Sequence, residues 1–194
     1  MNGNLHLADA TSLQAQNDVT TAYNDLLSQA CDFGSFGPTD LAGQTLVPGV
    51  YCYSSSVSNS GTLTLNAQGN DNSVWVFKTG STLITSPGSS INFINNGNPC
   101  NVFWQVGSSA TIDTTTIFLG NILAADDITV NNGANVFGRL LARGVSADGG
   151  ITLDSNFIDS SCDAQQIPEF GWGTAVIAIV GSLLVFTVIR NRRK

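Results

Sequence analysis

Threonine and asparagine are the residues whose placement in this chain could do chemistry. Thr129 in Ile128-Thr129-Val130 and Thr152 in Ile151-Thr152-Leu153 sit between apolar neighbours, and Thr62, Thr64 and Thr111 follow the same rule. Side chains alternate across a strand, so in each case the apolar pair faces one way and the threonine the other. Aligning the later segments on these threonines gives a second column: Thr116 before Ile117, Asn135 before Val136, and Asn156 before Phe157. Strands stacked about 4.7 to 4.9 Å apart would turn such positions into ladders. A flat ladder of this composition acts on water. Its methyl groups hold water in ordered cages, and its hydroxyls and amides pin a few of those waters, so the chemistry is adsorption with no bond made or broken. The plainer account is propensity alone, since Thr is favoured in half-exposed strands and Asn in turns.

Covalent chemistry has little to work with. The only histidine, His6, lies near the start of the chain, where a general base would be poorly held. Asp126 and Asp127 are adjacent and would point to opposite sides of a strand, which suits a solvated turn better than a carboxylate pair. Arg139 and Arg143 stand apart from any acidic cluster of the kind that solenoid polysaccharide lyases need. Asn70-Asp71-Asn72 could bind calcium in a loop but also reads as a plain turn. No glycine-rich phosphate loop is present. The chain is not expected to be an enzyme or to need a cofactor or metal.

The elements that would carry the ladders repeat. Gly120-Asn121-Ile122-Leu123-Ala124 and, further on, Gly138-Arg139-Leu140-Leu141-Ala142 spell nearly the same pattern. A period of roughly 20 residues suits one turn of a β-solenoid, whose strands bury their apolar side only when the next turn stacks on them. Short strands recur from Gly61 onward, as in Thr62-Leu63-Thr64-Leu65, Val74-Trp75-Val76-Phe77, Thr82-Leu83-Ile84-Thr85 and Val102-Phe103-Trp104-Gln105-Val106, separated by turns rich in Gly, Asn and Ser. A β-sandwich also fits short strands of this kind; the repeated glycine segment favours the solenoid. Before the strands, residues 9–30 contain neither Gly nor Pro and place Ala15, Val19, Ala22, Tyr23, Leu26 and Ala30 at helical spacing. Asp9 or Thr11 can cap the start. One amphipathic helix is expected there, lying along the β body. Residues 32–60 are turn-rich and read as a cap or cross-over.

Composition limits the partners. Charged residues are 11% of the chain, against about 25% in an average soluble domain, so Ser, Thr, Asn and Gly must cover the surface. Before residue 171 there are three basic and fourteen acidic residues, a net charge of −11. Such a body should not bind nucleic acid by neutralising phosphates. The four cysteines, Cys31, Cys52, Cys100 and Cys162, show no metal-binding spacing. In an exported protein they predict two disulfides; of three possible pairings, Cys31 with Cys52 and Cys100 with Cys162 is preferred, and buried free thiols are the alternative.

No charge interrupts residues 171–189, and Arg190-Asn191-Arg192-Arg193-Lys194 follows directly. That stretch is long enough to cross a bilayer as a helix, with residues 190–194 as a cytoplasmic tail and the acidic body outside the cell. The expected layout is a β-solenoid domain over residues 1–162, a linker over 163–170, and the transmembrane helix over 171–189. Met1 to His6 has no apolar signal-peptide core, so the chain is expected to begin inside a longer precursor.

Two resemblances follow. Pro168-Glu169-Phe170, the apolar span and the Arg-rich end resemble the PEF-type sorting signal of archaeal surface proteins, which implies a transpeptidase-like enzyme acting near that motif. The body resembles the DUF3494-type ice-binding proteins through Ala8-Asp9-Ala10, Ala22-Tyr23-Asn24-Asp25-Leu26, Leu46-Val47-Pro48-Gly49-Val50-Tyr51, Cys100-Asn101-Val102-Phe103-Trp104-Gln105-Val106 and the two glycine segments. That resemblance implies a discontinuous right-handed β-helix of triangular cross-section with an α-helix alongside. It also implies one flat face that adsorbs to ice, in a secreted or surface-attached protein, some members acting as adhesins. The family usually has several β segments before the helix; here few residues precede Ala8, so one end of the solenoid is expected to be uncovered. On this basis the Thr and Asn ladders are candidate ice-binding residues. A structural or adhesive surface protein on the same scaffold without ice affinity is the alternative.

Overall fold

The computed structural model describes residue 6 and residues 9–35, 37–144 and 150–161. Helix α1 spans Ala10–Ser28. Asp9 caps it: its carboxylate accepts from the Ser12 amide at 2.8 Å, and its own amide donates to Ser12 Oγ at 3.0 Å. This reciprocal pair satisfies two backbone donors that the first turn leaves open.

After α1 the described residues wind through six coils of three short strands each. They are β1 (Phe33–Ser35), β2 (Thr39–Asp40) and β3 (Thr45–Leu46); β4 (Gly49–Tyr53), β5 (Val57–Asn59) and β6 (Thr62–Asn66); and β7 (Trp75–Thr79), β8 (Leu83–Thr85) and β9 (Ser90–Ile94). A short 3-10 turn at Pro99–Asn101 then leads into β10 (Val102–Val106), β11 (Ala110–Ile112) and β12 (Ile117–Leu119). The last coils are β13 (Asn121–Ala124), β14 (Ile128–Val130) and β15 (Asn135–Phe137), then β16 (Leu140–Ala142), β17 (Ile151–Leu153) and β18 (Phe157–Asp159).

Every strand pairs in parallel with its counterpart one coil away, which gives three six-stranded sheets: β1-β4-β7-β10-β13-β16, β2-β5-β8-β11-β14-β17 and β3-β6-β9-β12-β15-β18. We call these sheets 1, 2 and 3. A sandwich built from antiparallel hairpins is excluded. The coils also stack strictly in chain order, so the discontinuity implied by the family resemblance is absent among the described residues.

The spacing of the two glycine segments is a true coil length. Ile122 pairs with Trp104 on one side and with Leu140 on the other, at equal steps along the chain. The steps from Tyr51 to Phe77 and from Phe77 to Trp104 are longer. Their extra residues loop out around 67–74 and 95–101, which is why no single period runs through the whole sequence.

The core lies inside the coils. Buried Tyr51, Phe77 and Trp104 occupy one register column of sheet 1 that ends on the exposed Phe33, and the four rings from Phe33 to Trp104 stack at centroid distances of 4.7, 5.3 and 4.0 Å. Trp104 also packs on Phe118, 5.3 Å away. Leu63, Leu65, Leu83, Ile112, Ile128 and Val130 fill the other two walls and are buried. Offset aromatic stacking of this kind adds about 0.5–1.5 kcal/mol per pair beyond burial.

Helix α1 covers the outer side of sheet 1. Tyr23 and Leu26 pack on Val76, Leu123 and Ala125, and Tyr23 Oη donates to the Val106 carbonyl at 3.2 Å. The buried stripe is narrower than the helical spacing predicts, because Ala15, Ala22 and Ala30 are exposed. At the C-terminal end Lys78 Nζ donates to the Gln29 carbonyl at 2.7 Å, placing a cation at the negative end of the helix dipole.

Cys31 and Cys52 form a disulfide that ties the segment after α1 to β4. Cys100 is also disulfide-bonded; its expected partner Cys162 lies outside the described residues. The linker at 163–170, the span at 171–189 and the tail at 190–194 lie outside them too. Among the described residues no helix is long and apolar enough to cross a membrane.

Candidate adsorption face

With sheet 1 covered by α1, the outward sides of sheets 2 and 3 remain. On sheet 2 the register runs Asp40, Ser58, Ile84, Thr111, Thr129, Thr152, one residue per coil. All six are half-buried or exposed, whereas the residues flanking Ile84, Thr111 and Thr129 are buried. This is the alternation expected of a sheet with one wet side. Two shorter rows border the column. Ser56, Thr82, Ser109 and Asp127 enter the strands in register through successive backbone bonds, and the Thr82 hydroxyl donates to Ser56 Oγ at 3.0 Å. On the other side, Asn131 Nδ2 donates to Asp113 Oδ1 at 3.1 Å, and Ser60 Oγ donates to the Asp40 carboxylate. That bond is the first cause holding the Asp40 carboxyl below the usual carboxylate range.

Sheet 3 carries Thr62, Ser90, Ile117, Asn135 and Phe157 in one outward column. The hydroxyls of Thr62 and Ser90 lie 3.0 Å apart across adjacent coils. Thr64 pairs with Thr45 and Asn92 in the next column. That column is not open along its length, because Leu119 and Phe137 further up sheet 3 are buried.

The eight expected residues therefore separate. Thr111, Thr129 and Thr152 form one file on sheet 2; Thr62, Thr64 and Asn135 lie on sheet 3, which faces another direction. Asn156 sits at the corner between sheets 2 and 3, where its Nδ2 donates to the Asn131 carbonyl at 2.6 Å and its Oδ1 accepts from the Asp154 amide. Thr116 is wholly buried in the equivalent corner two coils earlier; its Oγ1 lies 3.1 Å from Thr85 Oγ1 and donates to the Ser86 carbonyl at 3.2 Å.

The second column expected from the sequence is thus corrected. Asn135 pairs with Ile117 and Phe157, not with Thr116 and Asn156. The strand opens on an apolar residue in two of these coils and on asparagine in the third, so an alignment on the first apolar residue slips by one there. One residue of slip reverses the side on which a side chain emerges. Counting from the threonines does not repair it, because four residues turn the corner between Ile112 and Ile117 and between Val130 and Asn135, but only three between Leu153 and Phe157. What sequence reasoning missed is Ile84. It sits in the apolar-looking run Leu83-Ile84 and reads as core, although strict alternation from Thr82 sets it outward.

Catalytic geometry is lacking among the described residues. His6 contacts Asp9 at 2.8 Å, and Asp127 Oδ1 accepts from the Gly150 amide. No three His, Cys, Asp or Glu side chains converge on a metal position. The turn at Asn70-Asp71-Asn72 closes on itself, with Asn70 Oδ1 accepting from the Asn72 amide.

A family described as Ice-binding-like matches residues 1–159. An ice-binding protein of Nostoc sp. is 41% identical over 200 aligned residues, covering 100% of this chain and 71% of that protein. Ice-binding protein 1 of Shewanella frigidimarina is 35% identical over 155 residues, which cover 75% of this chain and 16% of that protein. Among solved structures, an ice-binding protein from the Antarctic ascomycete Antarctomyces psychrotrophicus superposes with a TM-score of 0.77 at 41% identity, covering 81% of this chain and 75% of that one. The DUF3494 domain of the Shewanella protein gives 0.70 at 32% identity, covering 81% and 67%.

Proposed function

Because this chain belongs to the Ice-binding-like family, we propose that it adsorbs to ice through the outward side of sheet 2, with Thr111, Thr129 and Thr152 as the residues that meet the crystal. The observation carrying this reading is the register that sets these threonines in one file on successive parallel strands. Parallel pairing fixes the repeat along the solenoid at about 4.8 Å, and alternate residues of a strand add a second repeat of about 6.6 Å. A β-branched side chain is stiff at χ1, so the lattice is set before water arrives. Ice is then met by a surface already ordered, and little side-chain freedom is lost on contact.

Thr62, Thr64 and Asn135 form a lesser polar patch on sheet 3 and, facing elsewhere, cannot meet the same crystal plane. Thr116 and Asn156 act as corner residues that hold the two sheets together. The tether belongs to the same proposal. The apolar stretch 171–189 with the basic residues 190–194 would hold the body outside the cell, and a sorting transpeptidase would act near Pro168-Glu169-Phe170; the sequence of that region is its support.

Ice-affinity partitioning of the full chain tests the reading. The parent protein is expected to be taken into a slowly growing ice front, and Thr129→Lys, which sets a hydrated charge in the middle of the file, is expected to be excluded. Exclusion of the folded parent would overturn the reading and leave a structural or adhesive role for the scaffold.

A further inference from the structure

We propose that Ile84 is an adsorbing residue of this face, and that the face offers ordered water a file of γ-methyl groups in which the hydroxyls are secondary. The inference rests on the ice-adsorption reading of sheet 2 and says which chemical group does the work.

Its basis is one register column. Ile84 pairs with Ser58 on one side and Thr111 on the other, and Thr111 continues to Thr129 and Thr152. Four consecutive coils thus present Ile, Thr, Thr, Thr. These two residue types share one feature, a Cγ2 methyl on a branched Cβ whose χ1 is restricted. They differ at the remaining branch, an ethyl group in isoleucine and a hydroxyl in threonine. Ile84 is 46% exposed while its neighbours Leu83 and Thr85 are each 1% exposed, so the side chain stands outward on a flat strand. A lone exposed isoleucine on a protein surface needs no explanation. An isoleucine that continues a threonine file at the repeat of about 4.8 Å has one, because it extends the methyl row by a coil without interrupting it. Ser58, the next member, has a hydroxyl and no methyl, and it ends the row.

The roles of methyl and hydroxyl separate by substitution in the full chain, read by ice-affinity partitioning and thermal hysteresis, with a thermal melt for each variant. Ile84→Val and Ile84→Thr keep the γ-methyl and are expected to match the parent. Ile84→Ser differs from Ile84→Thr by that methyl alone and is expected to bind ice roughly fourfold more weakly than it, the factor that accompanies one methyl group withdrawn from water, and Ile84→Ala is expected to fall at least as far below Ile84→Val. Ser58→Val lengthens the row and should strengthen capture by a similar factor. The exposed position of Ile84 makes folding of these variants a minor hazard, and Ser58→Val tests the same claim independently. Parent-like capture of Ile84→Ser alongside exclusion of Thr129→Lys would overturn this inference and leave the ice reading standing. Failure of the parent to enter ice would overturn both.

Discussion

Gly138 stacks on Gly120 so closely that a Cβ built on Gly138 would collide with the Gly120 carbonyl oxygen. The two glycines turn the corner from sheet 3 to sheet 1 on successive coils, with φ of +154° and +117°. The repeated glycine in the sequence is therefore a steric requirement. Gly138→Ala should destabilise the protein by about 1–3 kcal/mol or more, read as a lowered Tm. Gly150→Ala, where nothing lies within 4 Å of the added atom, is the control and should stay within about 0.5 kcal/mol of the parent.

Thr116 separates stability from adsorption. Its hydroxyl is buried and bonded inside the corner, so Thr116→Val should cost on the order of 1–2 kcal/mol by stranding its partners. Urea melts would register the loss. Because the side chain never reaches the outer surface, capture by ice should be unchanged; a variant that folds and loses capture would contradict the assignment of Thr116 to the interior.

Burial pushes the Tyr53 phenol up to about 12 and also raises that of Tyr51, so the fold favours their neutral forms. Protons leave the unfolded chain first, near pH 10, while the folded protein still holds them. Stability is therefore intact below pH 10 and falls as pH rises toward 12, by up to about 2–3 kcal/mol for a shift of this size. Denaturant melts between pH 9 and 12 would follow it, and Tyr53→Phe should flatten the slope.

Arg143 lies over the Tyr23 ring, its guanidinium carbon 4.4 Å from the centroid, and its carbonyl accepts from Gln16 Nε2. Arg143→Ala should cost about 0.5–2 kcal/mol, and the loss should be local. Amide hydrogen exchange should rise in α1 while the strands of sheet 2 keep their protection.

The parts of the molecule legible from sequence are those fixed by local rules. The helix shows in its spacing and in Asp9; the coils show in the recurrence of the Gly120 segment at Gly138; the outward threonines of sheet 2 show in strict alternation. The pairing of Cys31 with Cys52 also agrees with expectation. What was hidden depends on register around each corner. Thr116 and Asn156 looked like companions of Asn135 because each precedes an apolar residue. The last corner is also one residue shorter than the two before it, and no local rule announces that length. Ile84 was hidden for a different reason: hydrophobicity says core, while parity along the strand says surface, and only the register decides between them.

Stacking in strict chain order has a consequence for how such a molecule can change size. Each coil pairs its strands only with the coils before and after it, so duplicating one of them, such as residues 121–138, adds a rung without changing the pairing of the others, and helix α1, which packs across several coils, is the element that must readjust. The reach of the outer surface is thus quantised: it lengthens by whole rungs of about 4.8 Å, and a gene can adjust its grip by copying a segment rather than by redesigning one.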